Sequence, residues 1–230
     1  MSDATALQWM ILCEGSGDAA FFRHLIKERG LPNYNVTFPN ERNEKAQGGV
    51  EGFKRRLDAL VAENDRTPMM GILVVIDKDE DGDQAFNKAC DAVSQAAGAF
   101  GIPTDPLSIA TSGTGLPAVA VMLIPPDGDA GQLETLCLKA FGETRPDIKE
   151  CADEFAKCSG ADQWKRSKRE KMMLRSMLAA CCENDPNTSL THAWSQGRPK
   201  MIDLQHSCFD GIAQFLREFP GKVMDLAREG

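Results

Sequence analysis

The run Met70-Gly71-Ile72-Leu73-Val74-Val75-Ile76, followed without transition by Asp77-Lys78-Asp79-Glu80-Asp81-Gly82, limits the folds open to this chain more than any other feature. A continuous, β-branched apolar run of this length predicts a strand covered on both faces. Such strands belong to parallel sheets, and the acidic loop then stands at the strand's carboxyl end. Residues 8–13, Gln-Trp-Met-Ile-Leu-Cys, predict a second strand of the same kind. It ends at Glu14-Gly15-Ser16-Gly17-Asp18, after which Phe21, Phe22, Leu25 and Ile26 recur at helical spacing.

The remaining pattern agrees with this reading. Tyr34 to Phe38 predicts a short strand, and Val50, Phe53, Leu57, Leu60 and Val61 mark one stripe of a helix over 50–63. An Ala-rich helix is expected from about 83 to 99, then strands at 107–110 and 118–124 around the Gly113-Thr114-Gly115 turn. Strands alternating with helices give an α/β fold with a mainly parallel sheet flanked by helices. After Pro125-Pro126 the pattern becomes helical. The expected organisation is a catalytic core over 1–125 and a mostly helical extension over 126–230, packed on that core.

Composition removes several classes of function. At 230 residues the chain can bury a full core, so no disulfide framework is needed. The eight cysteines contain no C-x-x-C pair, which argues against structural zinc. All of them are expected to pack as small hydrophobes in a reducing compartment. No stretch approaches a membrane span and the N-terminus lacks a secretory layout, so a soluble, cytoplasmic protein without membrane contact is expected. The net charge of −8 rules out a global field for nucleic acid. Any such binding must use local cations, and Lys165, Arg166, Lys168, Arg169, Lys171 and Arg175 form the best patch, with a solvated helix face as the alternative.

In an open parallel sheet, ligands gather beyond the carboxyl ends of the strands. Glu14 closes the first strand and Asp77 the central one, with Asp79 and Asp81 on the loop beyond. Carboxylates held this closely repel one another, so a divalent cation is the natural reason to assemble them. Mg²⁺ takes oxygen ligands and keeps water, which suits Asp77 and Asp79 as ligands open to a phosphate. Glu14 then serves as general acid or base.

Other uses of these residues fit less well. The aspartate loop begins like a calcium-binding EF-hand, but its twelfth place is Lys88 and a strand precedes it. A D-x-D-x-T phosphatase would need threonine where Asp81 stands. Gly15, Gly17 and Ala20 match a dinucleotide-binding turn, yet Glu14 would lie against the pyrophosphate and the Asp77 cluster would have no task. His24, His192 and His206 show no ligand spacing, and Trp164, Trp194, Phe209, Phe215 and Phe219 are expected to fill the helical part of the core.

Ile11-Leu12-Cys13-Glu14-Gly15 with Asp18 and a helix resembles the first Toprim motif. Val74-Val75-Ile76-Asp77-Lys78-Asp79-Glu80-Asp81-Gly82 is similar to the Toprim D-x-D segment, after an intervening β-α unit. The resemblance covers about residues 8–125 and is greatest to small stand-alone Toprim proteins similar to OLD-family nuclease domains. It implies a Toprim (Rossmann-like) sheet and Mg²⁺, with Mn²⁺ as a substitute, held by Glu14, Asp77, Asp79 and Asp81. Glu134 in Gly131-Gln132-Leu133-Glu134 matches the position of a further acidic ligand for a second metal. Asp18 is a secondary candidate whose simpler role is helix capping, and Lys168 and Lys171 are candidates for charge neutralisation.

The topoisomerase branch needs an active tyrosine from another domain, and Tyr34 is the chain's one tyrosine. The bacterial primase branch adds a zinc module that the cysteine spacing excludes. Attack by metal-activated water remains, which makes a nuclease acting on nucleic acid, DNA before RNA, the expected activity. A regulatory module that binds metal or nucleotide and is partnered with a separately encoded ATPase is the alternative, and a homodimer is a candidate assembly.

Overall fold

The computed structural model describes residues 8–41, 48–63, 69–113, 115–128, 130–194 and 201–229. Five strands form one sheet: β1 (Trp9–Leu12), β2 (Asn35–Thr37), β3 (Gly71–Asp77), β4 (Ile109–Ala110) and β5 (Ala118–Ile124). Their order is β2-β1-β3-β5-β4. The first four in that order run parallel and only β4 is antiparallel to its neighbour. The mainly parallel α/β sheet is therefore present, with β3 at its centre. Seven α-helices accompany it among the described residues: α1 (Ser16–Arg29), α2 (Phe53–Glu63), α3 (Gly82–Ser94), α4 (Leu133–Thr144), α5 (Pro146–Cys158), α6 (Arg166–Cys181) and α7 (Asp210–Glu229).

The period-2 alternation of the strands divides the core into two layers. Met10, Leu12, Ile72, Val74, Ile76, Val119, Val121 and Leu123 face the α2 and α3 side, against Phe53, Leu57, Ala89 and Val93. Ile11, Leu73, Val75, Ala120, Met122 and Ile124 face the opposite side, where Phe21, Phe22, Phe141, Leu174, Met177, Phe209, Leu216 and Phe219 join one continuous cluster. The helices after residue 126 thus share a hydrophobic core with the sheet.

Two contacts show how closely this layer fits. Tyr34, beside β2, donates its hydroxyl to the Leu216 carbonyl of α7 at 2.6 Å. The Phe219 ring lies so near Gly71 that a Cβ added there would stand 2.9 Å from it, so the glycine inside the central strand makes room for α7. Packing at this density leaves little space for an added methyl group.

Several local expectations change. The 107–110 strand is reduced to two residues and turns antiparallel, and Thr114 of the neighbouring turn lies outside the described residues. The Ala-rich helix ends at Ser94, short of residue 99. Phe209, Phe215 and Phe219 are core residues and Trp194 packs against the same cluster, beside Phe21, but Trp164 is 51 % exposed. It follows a 3₁₀ turn at the edge of α6, where no helix covers its ring. Cys13, Cys137 and Cys182 are buried as expected, whereas Cys151 and Cys158 lie on the solvent face of α5. No described helix is long and apolar enough to cross a membrane.

Because Phe219 is fully buried between Trp9, Phe215 and Gly71, Phe219→Ala is expected to cost about 3–5 kcal/mol of stability. Urea unfolding followed by far-ultraviolet circular dichroism and by tryptophan fluorescence should show both probes shifting together in one transition. Two separated transitions would mean that the C-terminal helices fold apart from the sheet.

Candidate functional site

The three central parallel strands release their chains at one rim, and a helix follows each: α1 after β1, α3 after β3 and α4 after β5. Acidic side chains occupy those connections. Glu14 lies two residues beyond β1, Asp77 is the last residue of β3, and Glu134 stands in the first turn of α4. β1 and β3 are neighbours in register, Leu12 beside Val74, so the chain ends carrying Glu14 and Asp77 emerge side by side. Glu14 Oε1 accepts the Asp77 backbone N–H at 2.9 Å. Asp77 Oδ1 in turn accepts the Leu133 N–H at 3.1 Å, the first amide of α4. The positive end of that helix therefore faces the aspartate.

Asp18, in the first turn of α1, accepts the Gly15 N–H at 3.0 Å. The capping role expected for it holds, and its charge also bears on Asp77. Asp79 adopts a left-handed backbone (φ 51°), which aspartate tolerates better than most residues. It exchanges two backbone hydrogen bonds of 2.7 Å with Gly131, tying the β3 loop to the turn before α4. Asp81 caps α3 by accepting the Gln84 N–H at 2.9 Å and is otherwise exposed. It stands at the outer edge of the cluster.

The electrostatics follow from this convergence. Burial pushes the Asp77 carboxyl well above its ordinary range, and the charges of Asp18, Glu14 and Glu134 push it further. Burial, then Glu14 and Glu134, raise Asp18 to about 7. Glu14 and Glu134 are raised chiefly by burial as well, with Lys171 working against both shifts. Four carboxyl groups from three segments of the sequence, Glu14 with Asp18, Asp77, and Glu134, thus converge, with Asp77 and Asp18 feeling the others. Desolvation and like charge both disfavour their ionised forms.

Glu14 and Asp77 separate two open clefts. One, of about 440 Å³, is lined by Asp79, Asp81, Lys88, Lys165 and Ser167. The other, of about 360 Å³, is lined by Asp18, Glu134, Lys171, Arg175, Ser16 and Thr191. Helix α6 borders both. It is fixed to α4 by Gln132 Nε2, which donates to the Ser167 carbonyl at 2.7 Å, and by Thr135, which donates to Glu170 at 2.5 Å. Glu170, buried on α6, also receives Arg166 at 2.8 Å.

The sequence expectation paired Lys168 and Lys171 as neutralising cations. Lys171 lines the second cleft, while Lys168 lines neither. Lys88, Lys165 and Arg175 border the clefts as well. The first entered the sequence reading only as the residue that fails an EF-hand, and helical spacing alone gives no signal that it turns toward Glu14.

Among the described residues no three His, Cys, Asp or Glu side chains form a ready-made metal cage. The donor set nonetheless fits Mg²⁺. Glu14 and Asp77 each commit one carboxylate oxygen to a backbone N–H. The other oxygen has no hydrogen bond to a described residue, and Mg²⁺ is usually held through one or two carboxylates with the rest of its shell water. Zinc or copper would want nitrogen or sulfur donors that this rim does not present.

In the metal-free protein, Asp18 binds its proton more tightly when folded than when unfolded. Its contribution to stability is therefore fully present below about pH 4 and is lost as the pH rises through about 7. Asp18→Asn keeps an acceptor for the Gly15 N–H and removes the charge. In EDTA at pH 8 it is expected to raise the melting temperature and flatten the decline between pH 4 and pH 8. An unchanged pH dependence would place Asp18 outside the coupled cluster.

No curated protein and no solved structure matches the chain. A family model described as a protein of unknown function, DUF3226, matches residues 8–220. That span runs from the strand leading to Glu14, through the Asp77 loop and Glu134, to the first half of the helix whose Phe219 packs on Gly71, so it holds the sheet, the acidic rim and helices α1 to α6: the chain belongs to the DUF3226 family.

Proposed function

We propose that the protein is a metal-dependent nuclease of the Toprim type, cleaving phosphodiester bonds in nucleic acid, with DNA favoured over RNA. The observation that carries this reading is the meeting of Glu14 and Asp77, from the ends of two neighbouring strands, with Glu134, from the first turn of α4, at one partly buried rim between two clefts that also hold cations. The resemblance of the Glu14 and Asp77 segments to the Toprim motifs supplies the reaction class, because a fold alone does not.

Asp77 with Asp79 and Asp81 on one side, and Asp77 with Glu134 and Asp18 on the other, are the groups that would hold Mg²⁺ or Mn²⁺. Bound there, the cation withdraws charge from the phosphate oxygens and makes its water more acidic. Glu14 is placed to hold or release a proton, since its carboxyl is desolvated and fixed by the Asp77 N–H. Lys171 and Lys165 flank Glu14 and Asp77 from the two clefts and stabilise negative charge developing on the phosphate.

The net charge of −8 supports a second reading. In it the same rim binds metal in a regulatory module partnered with a separately encoded ATPase and turns nothing over.

Purified protein incubated with single-stranded, double-stranded and structured DNA and RNA in Mg²⁺ or Mn²⁺ is expected to cleave at least one of them, and EDTA should stop it. Glu14→Gln and Asp77→Asn should each lower the rate by about 10²-fold or more while leaving the far-ultraviolet spectrum unchanged. Undiminished cleavage by both variants would exclude the site. Metal-dependent thermal stabilisation with no cleavage of any substrate would favour the regulatory module.

A further inference from the structure

Several cations in the described structure have a carboxylate partner close by, as in Arg29–Asp210, Lys54–Asp58, Arg145–Asp147, Lys149–Asp153 and Arg166–Glu170. The four cations that line the two clefts are not among these pairs. Lys88 and Lys165 border the Asp79 side, and Lys171 and Arg175 border the Glu134 side. None of the four takes part in an ion pair or side-chain hydrogen bond with a described residue, although carboxylates lie within electrostatic range of Lys88, Lys171 and Arg175.

Their arrangement has a direction. Lys165 immediately precedes α6, and Lys171 and Arg175 follow on it one turn apart. From Lys165 to Arg175 the chain advances about 15 Å at 1.5 Å per residue. That length covers roughly four base steps at 3.4 Å each along one strand of duplex. Helix α6 therefore passes the Glu14–Asp77 pair with one cation site before it and one beyond it. The ties from Gln132 to Ser167 and from Thr135 to Glu170 fix that course.

The linings also lack something. Among the described residues, no aromatic side chain lines either cleft. Base stacking is the usual device for holding unpaired bases, and cations without it recognise the backbone alone.

We propose that a nucleic-acid backbone crosses the Glu14–Asp77 pair along α6, with Lys88 and Lys165 binding phosphate on one side of the scissile position and Lys171 and Arg175 binding phosphate on the other. This rests on the nuclease reading and adds to it the path of the strand, the two phosphate subsites and indifference to base identity. The Ser16 and Thr191 hydroxyls and the N-terminus of α1 line the second subsite and favour an oxyanion beside Lys171.

The test is fluorescence anisotropy with a labelled 30-nucleotide single strand in Mg²⁺, across a salt series, in the Glu14→Gln background so that the strand stays intact. Lys88→Ala/Lys165→Ala and Lys171→Ala/Arg175→Ala should each reduce the slope of log Kd against log salt by about 1.4, two phosphates at about 0.7 each. The quadruple variant should lose about twice as much. Lys27→Ala/Lys139→Ala, two exposed cations that line neither cleft, should leave the slope unchanged. Oligo-dA and oligo-dT should bind alike.

A slope change from one pair only would show that the strand ends at the carboxylates instead of crossing them, and would overturn the proposal. So would equal losses from the Lys27/Lys139 control. Either result, with Mg²⁺-dependent cleavage intact in the Glu14 protein, leaves the nuclease reading standing. A protein that neither binds nor cleaves nucleic acid would remove both.

Discussion

The hydrogen bond from the Asp77 backbone N–H to Glu14 Oε1 is the contact on which the arrangement of the rim depends. It joins the ends of two adjacent parallel strands, and it forms because β1 and β3 leave the sheet together. Antiparallel neighbours would have sent these two residues to opposite edges. With the bond in place, one Glu14 oxygen is committed to backbone and the other is turned loose at the boundary of both clefts. Asp77 is fixed in the same way from the far side by the first amide of α4. Each carboxylate is thus oriented by main chain, which moves less than a side-chain partner would.

Assembling four acids at one place has a cost, visible in the upward displacement of Asp18, Asp77, Glu14 and Glu134. Three features offset part of it. The N-termini of α1, α3 and α4 all open at this rim and bring positive potential to it. Backbone amides occupy one oxygen of Glu14, Asp77, Asp18 and Asp81. Lys171 stands within electrostatic reach of Glu14, Asp18 and Glu134. The remaining repulsion is what the divalent cation proposed above would relieve if bound there.

The sheet was legible because its strands carry their own signal. The short apolar run at 8–13 and the continuous β-branched run at 70–76 announce strands, the second covered on both faces, and the two hydrophobic layers are what that pattern requires. Glu14 and Asp77 could be paired from sequence for the same reason, since strand ends in such a sheet share a rim. Asp18, Lys88, Lys165 and Arg175 could not be placed this way. Their positions depend on how α1, α3 and α6 are rotated and on the contacts of Gln132, Thr135 and Glu170, which join residues 35 apart. Trp164 was misjudged because an aromatic residue signals burial only where a helix or sheet arrives to cover it, and the 3₁₀ turn before α6 leaves it open.

The account stands on the idea that carboxylates from separate strand ends share a cation, and Mn²⁺ addresses it without reference to any substrate. Titrating the protein with Mn²⁺ and following the free-ion signal by electron paramagnetic resonance should show saturable binding to the wild type. Competition by Mg²⁺ should be complete. Asp77→Asn and Glu134→Gln, altered at sites 57 positions apart in the chain, should each weaken the binding by tenfold or more. Mn²⁺ that stays free in the presence of the wild type, or that binds equally well to both variants, would contradict the account.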